Sequence, residues 1–189
     1  MKIDMRNIQI KTDRLLLRPW MDSDLEDFFA YASIPAVGKM AGWKAHANLD
    51  EAWAFLRSDW FRRECLAIYH LSDKRVIGSV GLHESWAAKD SRFRHLPAAD
   101  LGYVLNPAYW GMGLAPEAAC AIIDFAFAHM DFKLLTCSHF AENLQSKRVI
   151  EKCGFTFDKK TVIYAEQLGQ HFDHLHYILR KDDWKEVAK

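Results

Sequence analysis

The hydrophobic residues near the N-terminus follow first a strand pattern and then a helical one. Residues 14–18 form a short apolar run between two arginines, and Pro19 ends it, which predicts a strand. Ser23 and Glu26 have the spacing of a capping box, so a helix is expected to begin there and to continue through Tyr31. The chain therefore opens with a strand followed by a helix.

A second helix is predicted after residue 48. Asn48 and Glu51 repeat the capping-box spacing, and the apolar residues behind them recur at helical intervals. These apolar residues are Ala52, Phe55, Leu56 and Trp60. The pattern is typical of one amphipathic helix that packs against a core.

Beyond this helix the apolar runs are strand-like and later alternate with helices. The predicted strands cover residues 65–71, 76–83, 100–105, 134–140, 155–164 and 172–179. The first two flank a Ser-Asp-Lys turn and are expected to form an antiparallel hairpin, whereas residues 85–99 predict a polar loop. Helices are predicted over residues 115–129 and 143–152. This order predicts a mixed α/β fold with a central sheet of about seven strands flanked by about four helices.

Composition and charge exclude several classes of protein. Of the 189 residues, 50% are hydrophobic and 26% are charged, which is ordinary for a globular chain and predicts one domain over residues 1–189. Lys plus Arg equals Asp plus Glu at 25 each, so no global charge recruits nucleic acid or an anionic membrane. The first ten residues lack the apolar centre of a signal peptide, and no run approaches about 18 apolar residues. A cytoplasmic location is expected.

Neither the cysteines nor the histidines have metal-site spacing. The four cysteines lie in apolar stretches without a C-x-x-C pair, and we expect reduced thiols in the core. They are Cys65, Cys120, Cys137 and Cys153. His174 and His176 alternate along the last predicted strand, just after His171, which favours a polar strand face. No metal is predicted.

A glycine-bearing segment marks the candidate site. Residues 111–115, with the sequence GMGLA, lie between a predicted strand and the helix over 115–129. Successive amide N–H groups can converge there on an anion, and glycine allows both positive φ and close approach. The spacing matches neither the dinucleotide-binding fingerprint nor the P-loop. Taken alone, the segment is equally consistent with a tight turn that needs small residues.

Two longer segments carry a family resemblance. Residues 100–118, DLGYVLNPAYWGMGLAPEA, resemble motif A of the GNAT superfamily of N-acyltransferases, and specifically its RimJ/RimL-like branch, which acetylates protein N-terminal amines. Residues 142–155, ENLQSKRVIEKCGF, resemble the family's N-x-x-S-x-x-V-x-E-K-x-G-F segment, and residues 12–18 resemble its first strand. The resemblance is weakest over residues 33–48 and 85–99, where substrate contacts are expected to vary.

The resemblance implies acetyl-CoA as the co-substrate and no metal. The diphosphate would rest on the main chain of residues 112–115, and the pantetheine would run beside the strand at residues 102–105. The implied cofactor-binding residues are Val104, Leu105, Trp110, Gly111, Met112, Gly113, Leu114, Ala115, Asn143 and Ser146. Trp110 stands where the family usually has Gln or Arg, which removes one cationic contact.

Acetyl transfer requires a neutral amine, a donor for the carbonyl oxygen and a proton for the leaving thiolate. His83 ends one predicted strand and Asp100 begins the next, so a hairpin would bring them together as a proton-relaying pair. The alternative is that His83 is an ordinary strand-end residue and Asp100 a solvated charge. A register change of one residue would turn either side chain to the other sheet face.

The resemblance leaves the general acid open. Many relatives have a tyrosine seven residues after the asparagine, and Ile150 occupies that position here. Ser146, water or another nearby donor would then protonate the thiolate, or the thiolate would leave unassisted. The family also implies that the N–H of Leu105 or of its neighbour meets the developing oxyanion.

The tryptophans are divided between pocket and core. Trp43 and Trp86 are candidates for an amine pocket, whereas the helical spacing of Trp53 and Trp60 predicts core positions.

Three functions are consistent with this sequence. The leading hypothesis is an acetyl-CoA-dependent N-acetyltransferase acting on the α-amine of a protein or peptide by direct attack in a ternary complex, because no activated cysteine marks a covalent route. The second replaces the acceptor by a small amine such as an aminoglycoside, a polyamine or an amino-acid derivative, which a cluster of acidic residues would favour. The third is a CoA-binding regulatory module without turnover. No nucleic acid or membrane partner is expected, and the apolar last strands permit a homodimer.

Overall fold

A mixed sheet of eight strands forms the frame of the molecule. A computed structural model describes residues 3–187 of the chain, with side chains through Trp184. The strands are β1 Ile10–Lys11, β2 Leu15–Arg18, β3 Cys65–His70, β4 Arg75–Glu84, β5 Ala98–Leu105, β6 Leu134–Phe140, β7 Thr156–Ala165 and β8 Gln170–Arg180. Their order across the sheet is β1-β2-β3-β4-β5-β6-β8-β7. All neighbouring strands are antiparallel except β5 and β6, which are parallel. The predicted mixed α/β fold is confirmed, and the two-residue strand β1 is the addition to the seven expected strands.

Seven helices are present among the described residues where about four were expected. They are α1 Leu25–Ala32, α2 Pro35–Ala41, α3 Leu49–Leu56, α4 Asp59–Glu64, α5 Leu114–His129, α6 Leu144–Lys152 and α7 Lys181–Val187. The additional helices are short, with seven residues in α2, six in α4 and seven in α7. None of the described helices is long and apolar enough to cross a membrane.

The capping box predicted at Ser23 does not form. A short 3-10 turn occupies Asp22–Asp24, and α1 begins only at Leu25. The reason is a buried ion pair, because Arg18 donates to both carboxylate oxygens of Asp24 at 2.7 and 2.8 Å. This pair holds Asp24 against the end of β2, and the carboxylate also accepts the amide of Met21 at 2.8 Å.

Asn48 caps a helix as predicted, but the capping box is incomplete, because Glu51 accepts the amide of Ala47 rather than that of Asn48. The helix behind this cap is also split. Asn48 Oδ1 accepts the amide of Glu51 at 2.9 Å, and Glu51 in turn accepts the amide of Ala47 at 2.8 Å. Helix α3 then stops at Leu56, and Ser58 caps the new helix α4. The predicted single helix is therefore two, and Trp60 lies on the second.

The two faces of the sheet carry different helices. Helix α5 packs its apolar residues, such as Ile122 and Phe127, on one face. Helices α1, α3 and α4 cover the other face through a cluster that includes Phe28, Leu56 and Phe61. The candidate site lies where the sheet opens between β5 and β6.

Candidate active site

The sheet opens between its two parallel strands. The β5–β6 ladder has only three pairs, Ala98 with Leu134, Ala99 with Leu135 and Asp100 with Thr136. Strand β5 nevertheless continues to Leu105 and stays paired with β4 over that whole length. Beyond Asp100, the side of β5 that faces β6 therefore has no strand partner among the described residues, and its main-chain groups are available to an extended ligand.

A cavity of about 1110 Å³ begins at this opening. It is lined by nearly all of the residues predicted to bind a cofactor, with Met112 as the exception. The lining members of that set are Val104, Leu105, Trp110, Gly111, Gly113, Leu114, Ala115, Asn143 and Ser146. Residues from both of the longer segments that resemble the family thus meet in one place.

The glycine segment has the geometry of an anion site. Gly111 and Gly113 have φ angles of 78° and 76°, the left-handed region that favours glycine. A Cβ on Gly111 would meet no protein atom within 4 Å, so that side of the segment is open to another molecule. Within residues 3–187, the amides of residues 111–115 donate to no protein acceptor. These amides lie at the N-terminus of α5, where the helix dipole favours negative charge.

An ion pair from the first strands fixes this segment. Glu117 accepts the hydroxyl of Thr12 at 2.6 Å, the amide of Arg14 at 3.0 Å and the Arg14 Nε at 2.7 Å. Arg14 Nη1 also donates to the carbonyl oxygen of Met112 at 2.8 Å. Burial raises the pKa of Glu117, but the hydrogen bonds from Thr12 and Arg14 outweigh it and hold that pKa below its usual value. Arg14 thus places a cation beside the glycine segment, a role that the sequence analysis missed.

Trp110 closes the turn that precedes the glycine segment. Its indole Nε1 donates to the carbonyl oxygen of Leu105 at 2.8 Å, so the ring is fixed against the end of β5. The aromatic residue therefore supplies a structural contact at the position where the family usually has Gln or Arg.

Strand β5 and helix α6 together bring a pair of hydroxyl groups to the cavity. Asn143 Oδ1 caps the helix by accepting the amide of Ser146 at 3.0 Å. The hydroxyl of Tyr103 lies 2.8 Å from Ser146 Oγ and 3.0 Å from the Ser146 carbonyl oxygen. Burial raises the pKa of Tyr103, which keeps its hydroxyl protonated. Ile150 is buried in the core, whereas Tyr103, which the sequence analysis did not consider, is one of the tyrosines that line the cavity.

His83 and Asp100 are directly opposite each other in the β4–β5 ladder, as predicted. Both line the cavity. Burial raises the pKa of Asp100 to about 6, and a hydrogen bond from the hydroxyl of Thr136 partly offsets this effect. Asp100 is therefore not a solvated charge, and that alternative is wrong.

The hydrogen-bond partner of His83 is a residue that the sequence analysis missed. His83 Nδ1 lies 3.1 Å from Glu64 Oε2, and the other oxygen of Glu64 accepts Arg63 Nη2 at 2.8 Å. Burial raises the pKa of Glu64, but the hydrogen bonds from Arg63 and His83 outweigh it, so the net shift is downward and Glu64 is ionised. The Nε2 side of the imidazole lies over Gly102, where a Cβ would come within 3.0 Å of it. His83 lines the cavity with its Nδ1 held by Glu64 and its Nε2 beside Gly102, which also lines the cavity.

Aromatic rings line the part of the cavity beyond His83. Ring contacts run from Trp43 to His46 at 5.7 Å, from His46 to Phe55 at 5.4 Å, and from Phe55 to Trp60 at 5.9 Å between centroids. The ring of Trp60 then stacks on His83 at 5.7 Å and 23°. These residues come from α3, α4 and the segment after α2.

The four tryptophan predictions divide evenly. Trp43 lines the cavity as expected, whereas Trp86 lies outside it, against Phe93 and beneath Lys159 Nζ at 4.1 Å from its ring. Trp60 was expected in the core, but it lines the cavity with 46% of its surface exposed. Trp53 is half-buried outside the cavity. The break between α3 and α4 explains why Trp60 lies in the cavity wall, because it turns the second helix toward β4.

The cysteines lie in or near the core, and the histidines that were considered as metal ligands lie on β8. The described cysteines are all free thiols, and Cys120 alone among them is half-buried rather than buried. His176 is buried and its Nε2 lies 2.8 Å from Thr161 Oγ1, so this part of β8 makes polar contacts, as expected, but away from solvent. His174 lines the cavity, and burial lowers its pKa to about 4. The part of the chain that the structure describes contains no group of three or more His, Cys, Asp or Glu side chains able to hold a metal.

Comparisons with known proteins agree with this geometry. The profile of the acetyltransferase (GNAT) domain matches residues 14–156. The uncharacterized N-acetyltransferase YoaA of Bacillus subtilis is 27% identical over 177 residues, which cover 91% of this chain and 96% of that protein.

Solved structures of low sequence identity share the fold. A GNAT-family acetyltransferase from Bacillus anthracis has a TM-score of 0.81 at 22% identity and covers 93% of this chain and 99% of its own. A putative ribosomal-protein-serine acetyltransferase from Vibrio cholerae has a TM-score of 0.72 at 22% identity, with coverage of 93% and 98%. A spermidine N-acetyltransferase from Vibrio cholerae, solved with CoA and spermine, has a TM-score of 0.73 at 17% identity, with coverage of 92% and 99%.

Proposed function

The chain belongs to the acetyltransferase (GNAT) domain family and is thus an N-acetyltransferase, and from this premise we propose that it acetylates the N-terminal α-amine of a protein or peptide with acetyl-CoA. Residues 1–189 act in this proposal as one acetyltransferase domain of the RimJ/RimL-like kind. The observation that carries it is the set of amides at residues 111–115 beside a strand edge without a partner.

The cavity fits coenzyme A on its β5–α5 side. The amides of residues 111–115 would hold the diphosphate, and the nearby guanidinium of Arg14 adds positive charge. The free edge of β5 at residues 102–105 would pair with the amide groups of the pantetheine, as an added strand does. Acetyl-CoA supplies a thioester carbonyl that a neutral amine can attack.

His83 and Glu64 supply the base in this proposal. The ionised carboxylate of Glu64 holds the Nδ1 side of the imidazole, which leaves Nε2 to take a proton from the amine. An α-amine with a pKa near 8 is already about one-tenth neutral at pH 7, whereas a lysine near 10.4 is neutral to less than roughly one part in a thousand. A single imidazole base is therefore better suited to an α-amine than to a lysine side chain.

The hydroxyl groups of Tyr103 and Ser146 supply the acid. They lie 2.8 Å apart on the cavity wall, and burial raises the pKa of Tyr103, so a proton is available there at neutral pH. The pair thereby provides a donor in place of the tyrosine missing at Ile150. This arrangement favours turnover over a CoA-binding module.

The charges around the cavity favour a peptide over a polycationic acceptor. Glu51 and Asp100 are the carboxylate residues that line it among the described residues, and Glu51 already accepts the amide of Ala47. A polyamine or an aminoglycoside would call for a denser acidic cluster. The putative ribosomal-protein acetyltransferase among the structural neighbours also supports a protein acceptor.

Acetylation assays with three acceptor classes test this proposal. Peptides with a free N-terminus, the same peptides N-terminally blocked but with an internal lysine, and spermidine would each be mixed with protein and acetyl-CoA. CoA release and product mass would be measured. The free peptides should have the highest kcat/KM. A higher value for spermidine or for the lysine peptide would reject the α-amine, and CoA binding without turnover of any acceptor would reject the enzyme.

A further inference from the structure

We propose that the acceptor peptide begins with a large apolar residue, whose side chain enters the aromatic end of the cavity. This inference rests on the proposed function and names the class of first residue that this site takes. We call the aromatic end the aromatic chamber. It is formed by Phe28, Trp43, His46, Phe55, Trp60 and Phe61.

The position of the aromatic chamber links it to the acceptor amine. Trp60 stacks directly on His83, and Phe55 contacts Trp60 and, at 4.8 Å, Phe61. An amine that reaches His83 Nε2 therefore has these rings as the nearest surface for its neighbouring side chain. In a peptide N-terminus the amine nitrogen is bonded directly to the α-carbon that carries the side chain, so the first residue is the one that meets the chamber.

The walls of the aromatic chamber are nearly free of charge. Burial lowers the pKa of His46, so its imidazole is neutral at pH 7. Glu51 is engaged with the amide of Ala47, and Lys44 brings positive charge to the lining. A cationic side chain would lose its hydration there and meet the positive charge of Lys44, whereas an aliphatic or aromatic side chain has no hydrogen bonds to water to lose.

The exposure of Trp60 supports a ligand at this place. Its neighbours Phe28 and Phe61 are buried at 3% and 4% exposure, but Trp60 leaves 46% of its surface exposed. A large exposed aromatic residue beside a catalytic pair is typical of a binding surface that the substrate completes. The first side chain of the acceptor would cover it.

A peptide series tests this proposal directly. Peptides identical except for the first residue, which is Gly, Ala, Ser, Glu, Leu or Phe, would be assayed for kcat/KM. Their Kd for the CoA-loaded protein would be measured by calorimetry. The Leu and Phe peptides should exceed the Gly and Ala peptides by at least about ten-fold in kcat/KM, with a parallel change in Kd. Equal values, or a preference for Ser or Glu, would overturn the proposal.

Tryptophan variants supply the structural control. Trp43→Ala and Trp60→Ala should reduce the ratio of Leu to Gly activity to within about two-fold, because each removes part of the apolar wall. Trp53→Ala is the matched control, since Trp53 lies outside the cavity and contacts Arg57 instead, and it should keep the wild-type ratio. A ratio that all three variants leave unchanged would overturn the assignment of the chamber.

The two proposals fail in different ways. If free peptides are acetylated without regard to the first residue, the chamber inference is wrong and the α-amine proposal stands. If spermidine or internal lysine is acetylated and no free peptide is, the α-amine proposal fails and the inference fails with it.

Discussion

His83 Nδ1 lies 3.1 Å from Glu64 Oε2, although Asp100 is the residue directly opposite His83 in the sheet. The partner that orients the imidazole thus comes from the end of α4, and Asp100 influences the site through its own ionisation. The two carboxylates therefore have separate effects that can be measured separately.

Replacement of Glu64 by Gln should lower kcat/KM about ten-fold, because the carboxylate beside His83 Nδ1 orients the imidazole. Steady-state rates with a free peptide would measure this loss. Glu84→Gln is the control, because Glu84 is exposed at the end of β4. An unchanged kcat/KM in Glu64→Gln would contradict the role of Glu64.

Asp100→Asn should change how stability depends on pH. The pKa of Asp100 is raised to about 6 in the folded protein, against about 3.9 in the unfolded chain. Folding therefore favours the protonated form, and the contribution of Asp100 to stability is lost as pH rises from about 4 to 6. Between pH 4 and pH 7 the wild type should lose roughly 2 kcal/mol relative to Asp100→Asn in urea unfolding. Parallel curves would show that Asp100 ionises normally.

Gly111→Ala should raise the Kd for CoA about ten-fold, because the added methyl group would lie on the open side of the glycine segment. Gly169→Ala is the matched control. Gly169 has a φ of 66° and nothing within 4 Å of an added Cβ, but it lies in the turn between β7 and β8. Both variants should lose about 1 kcal/mol of stability from backbone strain. Calorimetry with CoA separates them, and equal Kd values would remove the diphosphate from this segment.

Tyr103→Phe and Ser146→Ala should each lower kcat about ten-fold with little change in the Kd for CoA, if their hydroxyl groups act as one proton donor. The double variant should lose little more than either single one, since the hydroxyls lie 2.8 Å apart and act together. A single-turnover measurement of CoA release would report the step directly. Additive losses in the double variant would show that the two hydroxyls act independently.

Local patterns predicted the elements well, because periodicity reports which face of an element is buried. The Asn48 cap formed because its partner, the amide of Glu51, is local. The Ser23 box failed because Arg18, from the preceding strand, holds Asp24 in a buried ion pair. A local capping pattern does not reveal such a contact with the preceding strand.

The main-chain part of the site was more predictable from the sequence than the side-chain part. The glycine segment and the residues that follow it meet in the cavity as the family resemblance implied. Glu64 and His83 are far apart in sequence, but Cys65 pairs with Gly81, so a hairpin register would have placed Glu64 near His83. Arg14 and Tyr103 gave no such signal, because their partners come from distant elements.

Because the ladder between β5 and β6 has only three pairs, the sheet has two inner strand edges there in addition to its two outer edges. The outer edges are β1 and β7, and β7 has exposed apolar residues that include Val162 and Tyr164. The inner edges lie within one chain and border the cavity, which an extended ligand can enter. Main-chain groups that can bind a ligand thus stay unpaired inside the enzyme, where they do not form a template for aggregation.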